Sequence, residues 1–430
     1  MSAFPTPSDA RVPNLDLRSQ DSPNPRSALL LLIAINLVCY MDRYILAGIT
    51  PALKAEFLAG DPDANAKAGL WNTAFLVTFM LAAPAFGILA DRRSRWVIIG
   101  ICVIVWSLAC GASGLAMSFL ALLITRVFLG LGEAGYGPSA PTLIADLYPL
   151  EQRNRMLSWF FMAIPVGSAL GFAFGGWVEH TLGWRWAFFL MVPVGLILAA
   201  FCFAHKDPRS RSSSTELPPP APKLADYAQL ARIPSFRANV AAQTAMTFAI
   251  GGLSVWAPTY IHETHGLPIA QVDLIFGALL AVAGLTATLT GGRLADLWIK
   301  RFPGVYFLIA GSGMMLAFPM TVSMLFLPFP LAWVPVFFAM FFLFLNIGPA
   351  NTALANVTPP AMRSTAFALN ILIIHLLGDA LSPWLIGVIK DKSTWESAFL
   401  SVSCVMLLAG LIWLISIPKL VRDLGALRAS

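Results

Sequence analysis

The feature that most constrains the fold is a succession of twelve apolar segments along the 430-residue chain. A transmembrane helix needs about 20 predominantly apolar residues to cross the hydrocarbon core of a bilayer. The chain is 58% hydrophobic and 12% charged, whereas soluble domains carry about 25% charged residues. We therefore predict an all-α membrane protein with twelve transmembrane helices, at residues 28–50, 68–90, 96–115, 118–144, 156–178, 184–204, 238–261, 269–295, 304–327, 331–355, 362–389 and 396–417.

The polar segments divide these helices into two sets of six. The middle segment is rich in Pro, Ser, Arg and Lys, a composition typical of a flexible linker, with a short surface helix expected near Leu224–Ala231. The polar start of the chain is typical of a disordered tail. The predicted domains are a tail at 1–27, a six-helix bundle at 28–204, a linker at 205–237, a second six-helix bundle at 238–418 and a tail at 419–430.

The distribution of Lys and Arg predicts the orientation in the membrane. If both termini share one side, the segments on that side hold 21 of these residues and the opposite loops hold 5. Cytoplasmic loops carry the excess of Lys and Arg, so both termini and the linker are expected in the cytoplasm. The net charge of +6 follows from this bias and does not indicate a nucleic-acid partner. The compact loops favour a bacterial cytoplasmic membrane. We expect a monomer with membrane lipids around it.

The two halves of the sequence repeat each other. Gly87–Asp91 after the second segment matches Gly292–Asp296 after the eighth, 205 residues later. The dipeptide Gly137-Pro138 likewise matches Gly348-Pro349, 211 residues later. Landmarks in the same order at a nearly constant offset indicate two pseudo-symmetric bundles that face each other across a central cavity, as in many secondary transporters.

Several motifs resemble those of one transporter superfamily. GILADRRSR at Gly87–Arg95 and RVFLGLGE at Arg126–Glu133 resemble the loop and fourth-helix motifs of the major facilitator superfamily. Within that superfamily, three further motifs resemble the Spinster family of sphingolipid and lysophospholipid transporters. They are MDRYILAG at Met41–Gly48, the stretch Gly130–Pro149, and HLLGDALSPWLIG at His375–Gly387. The resemblance implies the major facilitator fold and an amphipathic lipid-like substrate.

Four charged residues fall near the middle of the first and fourth segments. Asp42 and Arg43 lie in the first segment, and Arg126 and Glu133 lie two helical turns apart on one face of the fourth. Charges at membrane depth are costly and persist where they face a protein interior or a water-filled cavity. The resemblance implies that these four groups share one polar pocket in the first half.

Two interpretations of this pocket stay open at this stage. In the first, Asp42 and Glu133 carry the coupling proton, while Arg43 and Arg126 act as counter-charges that also hold an anionic head group. A conformational change that makes or breaks Asp42–Arg126 or Glu133–Arg43 would then bind or release a proton. In the second, the four groups form a static ion-pair network that fixes helix packing.

His375 and Asp379 are four residues apart in the eleventh segment, so they share a helix face. They form either a second polar patch on the opposite wall of the cavity or a hydrogen bond that holds this helix against a neighbour. We assign both to the substrate-binding and counter-charge group.

The Gly87–Arg95 motif is expected to be mechanical. The resemblance implies a conformational latch on the cytoplasmic side, where a carboxylate pairs with an arginine or caps a helix. The alternative is that the arginines only anchor the protein by the positive-inside bias. The second copy departs from the pattern after its final Asp. The candidate latch residues are Gly87, Asp91, Arg92, Arg95, Arg155 and Asp296.

The sequence lacks the motifs that are typical of other function classes. The chain has no nucleotide-binding Gly-Lys-Ser/Thr loop and no nucleophile–base set, so we expect no enzyme, no cofactor and no metal, with protons as the coupling ion. We predict a proton-coupled secondary active transporter that works by alternating access on a small amphipathic or anionic substrate. The first alternatives are a proton-coupled symporter of small organic anions and a multidrug efflux carrier on the same scaffold. An alternative from another class is a channel or a non-transporting receptor.

Overall fold

The computed structural model describes residues 24–208, 224–359 and 362–429. Within these ranges the chain forms twelve helices that are long and apolar enough to cross a membrane, as the sequence predicts. We number them α1 to α12 in chain order. Their bounds are Pro25–Gly48, Ala64–Ala90, Arg95–Gly114, Phe119–Leu147, Arg155–Leu182, Trp184–Ala204, Pro234–His265, Ile269–Trp298, Val305–Phe326, Trp333–Val357, Thr365–Lys392 and Trp395–Ile415.

Three shorter helices complete the description. Thr50–Phe57 follows α1, and Leu224–Ala231 forms the expected helix in the linker. A further helix, Ile417–Ala429, occupies the predicted C-terminal tail. The linker ends earlier than predicted because α7 begins at Pro234. Most of the predicted N-terminal tail and the Pro- and Ser-rich part of the linker, residues 1–23 and 209–223, lie outside the described residues.

Local sequence explains where several helices begin and break. Asn24 and Ser118 cap α1 and α4 by accepting hydrogen bonds from backbone N–H groups of the first turn, which would otherwise lack partners. Helix α4 is interrupted between Glu133 and Tyr136, and α10 between Phe344 and Ile347. Both interruptions directly precede the repeated Gly-Pro dipeptide, so the repeat in sequence becomes a repeated bend in structure.

The two six-helix halves, α1–α6 and α7–α12, meet mainly through two pairs of helices. Helix α5 packs along α8, and α2 packs along α11. Small residues allow these close approaches. A Cβ atom on Gly69 would lie 2.7 Å from Cα of Trp384, and one on Gly277 would lie 2.7 Å from the carbonyl oxygen of Ala169. Glycine at such contacts lets the backbones of two membrane helices touch.

The halves are closed together at one end. We call the end that carries both termini the termini face and the opposite end the far face. Toward the far face, Thr73 in α2 donates a 2.6 Å hydrogen bond to the carbonyl oxygen of Ala380 in α11. Lys54 pairs with Glu263 at 2.7 Å. Asn65 donates to Asp391 at 2.6 Å. Each of these contacts joins the first half to the second.

The termini face shows the opposite pattern. A Cβ atom added to Gly87 in α2 or to Gly292 in α8 would meet no atom within 4 Å. These glycines are the equivalent positions of the internal repeat. Because their helices pack against the other half near the far face but not here, the halves are splayed toward the termini face. The structure is therefore one with the far face closed.

Candidate functional site

The centre of the first half holds a buried ion pair. Glu133 ends the first segment of α4, and its side chain is 0% exposed. Its Oε2 atom accepts hydrogen bonds from Arg43 at 2.7 Å from Nε and 2.6 Å from a terminal nitrogen. The thiol of Cys39 donates to the same oxygen at 3.1 Å. Oε1 has no hydrogen-bond partner among the described residues. One carboxylate oxygen therefore carries the whole interaction.

Aromatic rings hold the guanidinium of Arg43 in place. Its carbon lies 4.8 Å from the ring centre of Tyr40, 4.9 Å from that of Phe75 and 5.1 Å from that of Phe79. Cations over aromatic faces gain about 0.5–2 kcal/mol each, more where water is excluded. The Arg43 side chain is 18% exposed although its partner Glu133 is fully buried. The arginine is thus the more exposed member of the pair.

The second predicted pair, Asp42 with Arg126, is not in contact. No ion pair within 4.0 Å joins them in the described structure, although each is 1% exposed. Asp42 accepts a long 3.6 Å contact from the thiol of Cys110. Arg126 donates to the hydroxyl of Ser113 and lies 5.1 Å from the ring centre of Phe188. The charge of Arg126 still acts on Asp42.

Helix periodicity explains why neighbouring residues in α1 face different partners. Successive residues of an α-helix are rotated by about 100°. Cys39 and Arg43 are four apart and therefore both reach Glu133 on α4. Asp42 points to another side, toward Cys110 on α3. The four predicted groups thus occupy one region of the first half, with one pair formed and one pair apart.

The energetics of these groups differ. Removing one member of a buried ion pair costs about 3–5 kcal/mol, because the other is left uncompensated. Asp42 lacks that direct compensation in this conformation, and Arg126 Nε has no hydrogen-bond partner among the described atoms. A buried carboxyl group without a paired cation is easier to accommodate in its protonated, uncharged form. The pocket can therefore hold a proton at Asp42 while Glu133 stays paired.

His375 and Asp379 form the second predicted patch. They lie in a π-helical turn, His375–Asp379, within α11. The Nδ1 atom of His375 is 2.9 Å from Oδ2 of Asp379, so the pair is made within one helix rather than between helices. Their side chains are 33% and 19% exposed. The charge of Arg43 acts on His375 from the other half. Widened turns of this kind often occur at functional sites.

The six candidate latch residues are not brought together. Gly87 has open space beside it, and Arg92, Arg155 and Asp296 are exposed. The side chain of Asp91 lies outside the described residues. Arg95 is fully buried and pairs with Asp146 of α4 and with Asp207 just after α6, each at 2.7 Å, so neither partner lies in the second half. In this far-face-closed conformation, Arg95 ties α3 to the ends of α4 and α6, and the latch stays a prediction.

The second half contains an apolar cleft that the sequence did not locate. Helices α7 to α10 line it, with Ser254 and Thr321 as the polar side chains. The sequence composition shows only that Phe and Met are abundant, which is compatible with an apolar cavity. Which of them share one surface depends on how four helices pack. The apolar lining includes Leu253, Phe276, Leu280, Met324, Met340 and Leu343.

Sequence reasoning also missed a buried carboxyl group, Asp273. It lies near the start of α8, is 0% exposed, and neither of its side-chain oxygens has a hydrogen-bond partner in the described residues. The signal was present, because an acidic residue stands inside the apolar segment 269–295. The sequence indicates no partner for this carboxyl group, and the charged residues predicted from the sequence to form a site do not include it.

Comparisons with known proteins agree with this architecture. The family model described as Major Facilitator Superfamily matches residues 32–378. Protein spinster homolog 1 of Xenopus laevis is 35% identical over 385 residues, which cover 85% of this chain and 72% of that protein. Protein spinster homolog 1 of Homo sapiens is 35% identical over 407 residues, covering 87% of this chain and 76% of that protein.

Solved structures with low sequence identity share the fold. A crystal structure of a bacterial homolog to the human lysosomal transporter Spinster, in an inward-facing and unoccupied conformation, superposes with a TM-score of 0.82. It is 21% identical, and the match covers 94% of this chain and 99% of that one. A D-xylose-proton symporter superposes with a TM-score of 0.74 at 18% identity, covering 90% of this chain and 97% of that chain.

Proposed function

Because this chain belongs to the Spinster family of the major facilitator superfamily, we propose that it couples proton movement to the transport of an amphiphile resembling a lysophospholipid or sphingolipid. The chain is a multi-pass membrane transporter and not an enzyme, with a fold that works by alternating access. The observation that carries the proposal is the buried site in which Glu133 is paired with Arg43 while Asp42 has no direct cation.

The site supports coupling because the proton and the anionic head group both act on the Glu133–Arg43 pair. Protonation of Glu133 would remove its charge and weaken both contacts to Arg43. The guanidinium, which is already partly exposed, would then be free to bind a phosphate or carboxylate in a forked geometry. Proton and anionic head group would thereby favour each other's binding, which is a coupling free energy between two sites. Arg126 supplies a second positive charge near Asp42.

The two halves suit the two ends of an amphiphile. Charged and aromatic groups gather in the first half around Arg43, and the charge of Arg43 acts on His375 in the second half. The cleft lined by α7, α8, α9 and α10 offers apolar walls for an acyl chain. Burial of each methylene group contributes about 0.8 kcal/mol. A long-chain ligand would therefore gain affinity in the second half that a small organic anion would not.

We further propose the orientation that the positive-inside bias favours. Placing the termini face in the cytoplasm puts 21 Lys and Arg residues there and leaves 5 on the other side. The conformation described here is then inward-facing, since the far face is closed by the contacts of Lys54, Thr73 and Asn65. A monomer in a bacterial cytoplasmic membrane is the arrangement we propose.

Reconstituted transport tests the coupling. The full chain in proteoliposomes should move a labelled lysophospholipid in a saturable manner that responds to an imposed pH gradient. Asp42→Asn and Glu133→Gln should each abolish the response to pH. Asp61→Asn is the matched control, because this carboxylate lies in a far-face loop and pairs with Lys67. Normal pH-dependent transport by both interior variants would contradict the proposal.

Ligand binding tests the substrate class. Lysophospholipids and sphingoid phosphates should raise the thermal unfolding temperature of the purified protein, and the shift should grow with chain length. Leu343→Trp, which fills part of the apolar cleft, should remove the chain-length dependence and keep any effect of the head group. Equal stabilisation by short organic anions, unaffected by this substitution, would favour a symporter of small anions instead.

A further inference from the structure

Asp273 lies where the two halves of the protein meet. It is the fifth residue of α8, close to the far face. A Cβ atom on Gly48 at the end of α1 would lie 2.8 Å from its Oδ2 atom. A Cβ atom on Gly176 of α5 would lie 2.6 Å from the same oxygen. The carboxyl group of the second half is thus seated between two glycines of the first half.

This seat offers the carboxyl group no compensation for a negative charge. Both oxygens lack hydrogen-bond partners among the described residues, and the side chain is fully buried. Of the nearby ionisable groups, only Glu179 of α5 acts electrostatically on Asp273, and it carries the same sign of charge. Helix α10 has no titratable side chain. The other titratable groups near the far face on neighbouring helices are Tyr44, Lys54, Glu56, His180, Tyr260, His262, Glu263 and His265.

The surroundings decide which form of Asp273 fits here. Burying a carboxylate without a paired cation is strongly unfavourable even after relaxation. The start of a helix favours a negative charge only weakly, and this effect fades beyond the first turn. An uncharged carboxyl group that lacks one hydrogen bond is less costly to bury than the unpaired charge. The closed seat therefore accepts the protonated group and rejects the ionised one.

The same group has a different environment when the far face opens. Alternating access separates α8 from α1 and α5 at this end, so water would reach the carboxyl group and stabilise its charge. A ligand that binds one conformation better than the other shifts the population toward that conformation. We propose that Asp273 is a second proton-binding site, separate from Asp42 and Glu133, which must be protonated for the far face to close.

This site deepens the proposed alternating-access transport but does not depend on how the interior carboxylates are used. It sits at the interface between halves, whereas Glu133 and its partner lie within one half. The proton at Asp273 acts on the equilibrium between open and closed far faces. For one proton, raising the pH between the two conformations' titration points increases the open-to-closed ratio up to tenfold per pH unit.

Distance measurements on the full chain test the proposal. Spin labels at Asp63→Cys and Ser393→Cys lie on exposed residues on opposite sides of the far-face interface. The exposed Cys404 is replaced by Ser, and the remaining cysteines are buried. In lipid nanodiscs, the fraction with the long distance should rise as the pH increases from 5 to 9. Asp273→Asn, which mimics the protonated group, should stay closed throughout, while Glu179→Gln should still titrate.

A further variant separates this proposal from the proposed coupling. Asp42→Asn/Glu133→Gln should lose pH-driven transport but keep the far-face titration. A titration unchanged in Asp273→Asn would overturn the proposal, as would a wild-type distance that ignores pH. A distance that follows sodium concentration at constant pH would also overturn it. If Asp273→Asn does not fold, Asp273→Ser replaces it and the same outcomes decide.

Discussion

Glu133 and Asp273 are both fully buried carboxyl groups, but their surroundings differ in the one respect that matters for a charge. Glu133 accepts two hydrogen bonds from Arg43 within the first half. Asp273 has no partner and lies against glycines of the opposite half. The first can keep its charge in the closed conformation, and the second cannot. The role of a buried acidic residue in such a transporter therefore depends on which neighbouring helices change position during the transport cycle.

The comparison also separates two tasks. In the proposed mechanism, the environment of Glu133 would change when a ligand or proton binds, because Arg43 is the exposed member of its pair. The environment of Asp273 would change when the halves separate. We therefore propose that Glu133 senses substrate and that Asp273 senses conformation.

The largest effect is expected from breaking the Glu133 pair. Arg43→Met leaves a buried carboxylate without its cation and should lower the free energy of unfolding by about 3–5 kcal/mol. Denaturant titration of the purified protein measures this. The control Arg43→Met/Glu133→Gln removes both charges and should recover most of the stability without recovering transport. A double variant as unstable as Arg43→Met would show that the arginine stabilises through its aromatic contacts instead.

A smaller effect is expected from crowding Asp273. Gly48→Ala places a methyl group 2.8 Å from Oδ2 of Asp273, and overpacking of this kind costs about 1–3 kcal/mol. The closed far face should be destabilised by that amount, so the long far-face distance becomes more populated. Gly48→Ala/Asp273→Ala makes room and should restore closure. Gly425→Ala, where the added atom meets nothing within 4 Å, is the neutral control.

The far-face ion pair should matter less than either buried group. Lys54 and Glu263 have 13% and 32% exposed side chains, and partly exposed pairs contribute about 0.2–1 kcal/mol. Lys54→Met should raise the open-to-closed ratio by up to about fivefold. A double-mutant cycle with Glu263→Gln measures the pairwise energy. No coupling in that cycle would mean that the closed face rests on the other contacts between the halves, such as those of Thr73 and Asn65 with α11.

The smallest effect is expected at Glu56, an exposed acid with a partner. Its hydrogen bonds with Arg185 lower the pKa of Glu56 below its usual value. A lowered carboxyl pKa gives stability above the unfolded pKa that is lost as the pH falls through the folded pKa. Glu56→Gln should therefore cost less than about 1 kcal/mol at neutral pH, with no difference from wild type in strong acid. Thermal unfolding across pH checks this, and a large effect at neutral pH would contradict it.

Much of the fold follows from the sequence because membrane helices are long and strongly apolar. The twelve segments, the internal repeat and the helix at Leu224–Ala231 were all predictable from local patterns. The ends of the helices were less predictable from the sequence. Membrane helices continue past the apolar core, and α7 accordingly begins at Pro234 rather than at residue 238.

The charged site was predictable from the sequence only where the spacing of residues along one helix determines which side chains share a face. Glu133 and Arg43 form one of the two expected pairs. Asp42 and Arg126 are apart, and they contact a thiol and a hydroxyl group of α3 instead. Asp273 and the apolar cleft depend on contacts between helices far apart in sequence. The residue pattern within α8 gives no sign that Gly48 and Gly176 leave space for a carboxyl group.

The central claim is that a proton at Glu133 couples transport to the gradient, and comparing exchange with net accumulation tests it most directly. In proteoliposomes, Glu133→Gln should still exchange labelled for unlabelled lysophospholipid at equal concentration, because exchange needs no change of protonation. It should not accumulate substrate when a pH gradient is imposed. Accumulation at the wild-type level by Glu133→Gln, with the same dependence on pH, would contradict the account.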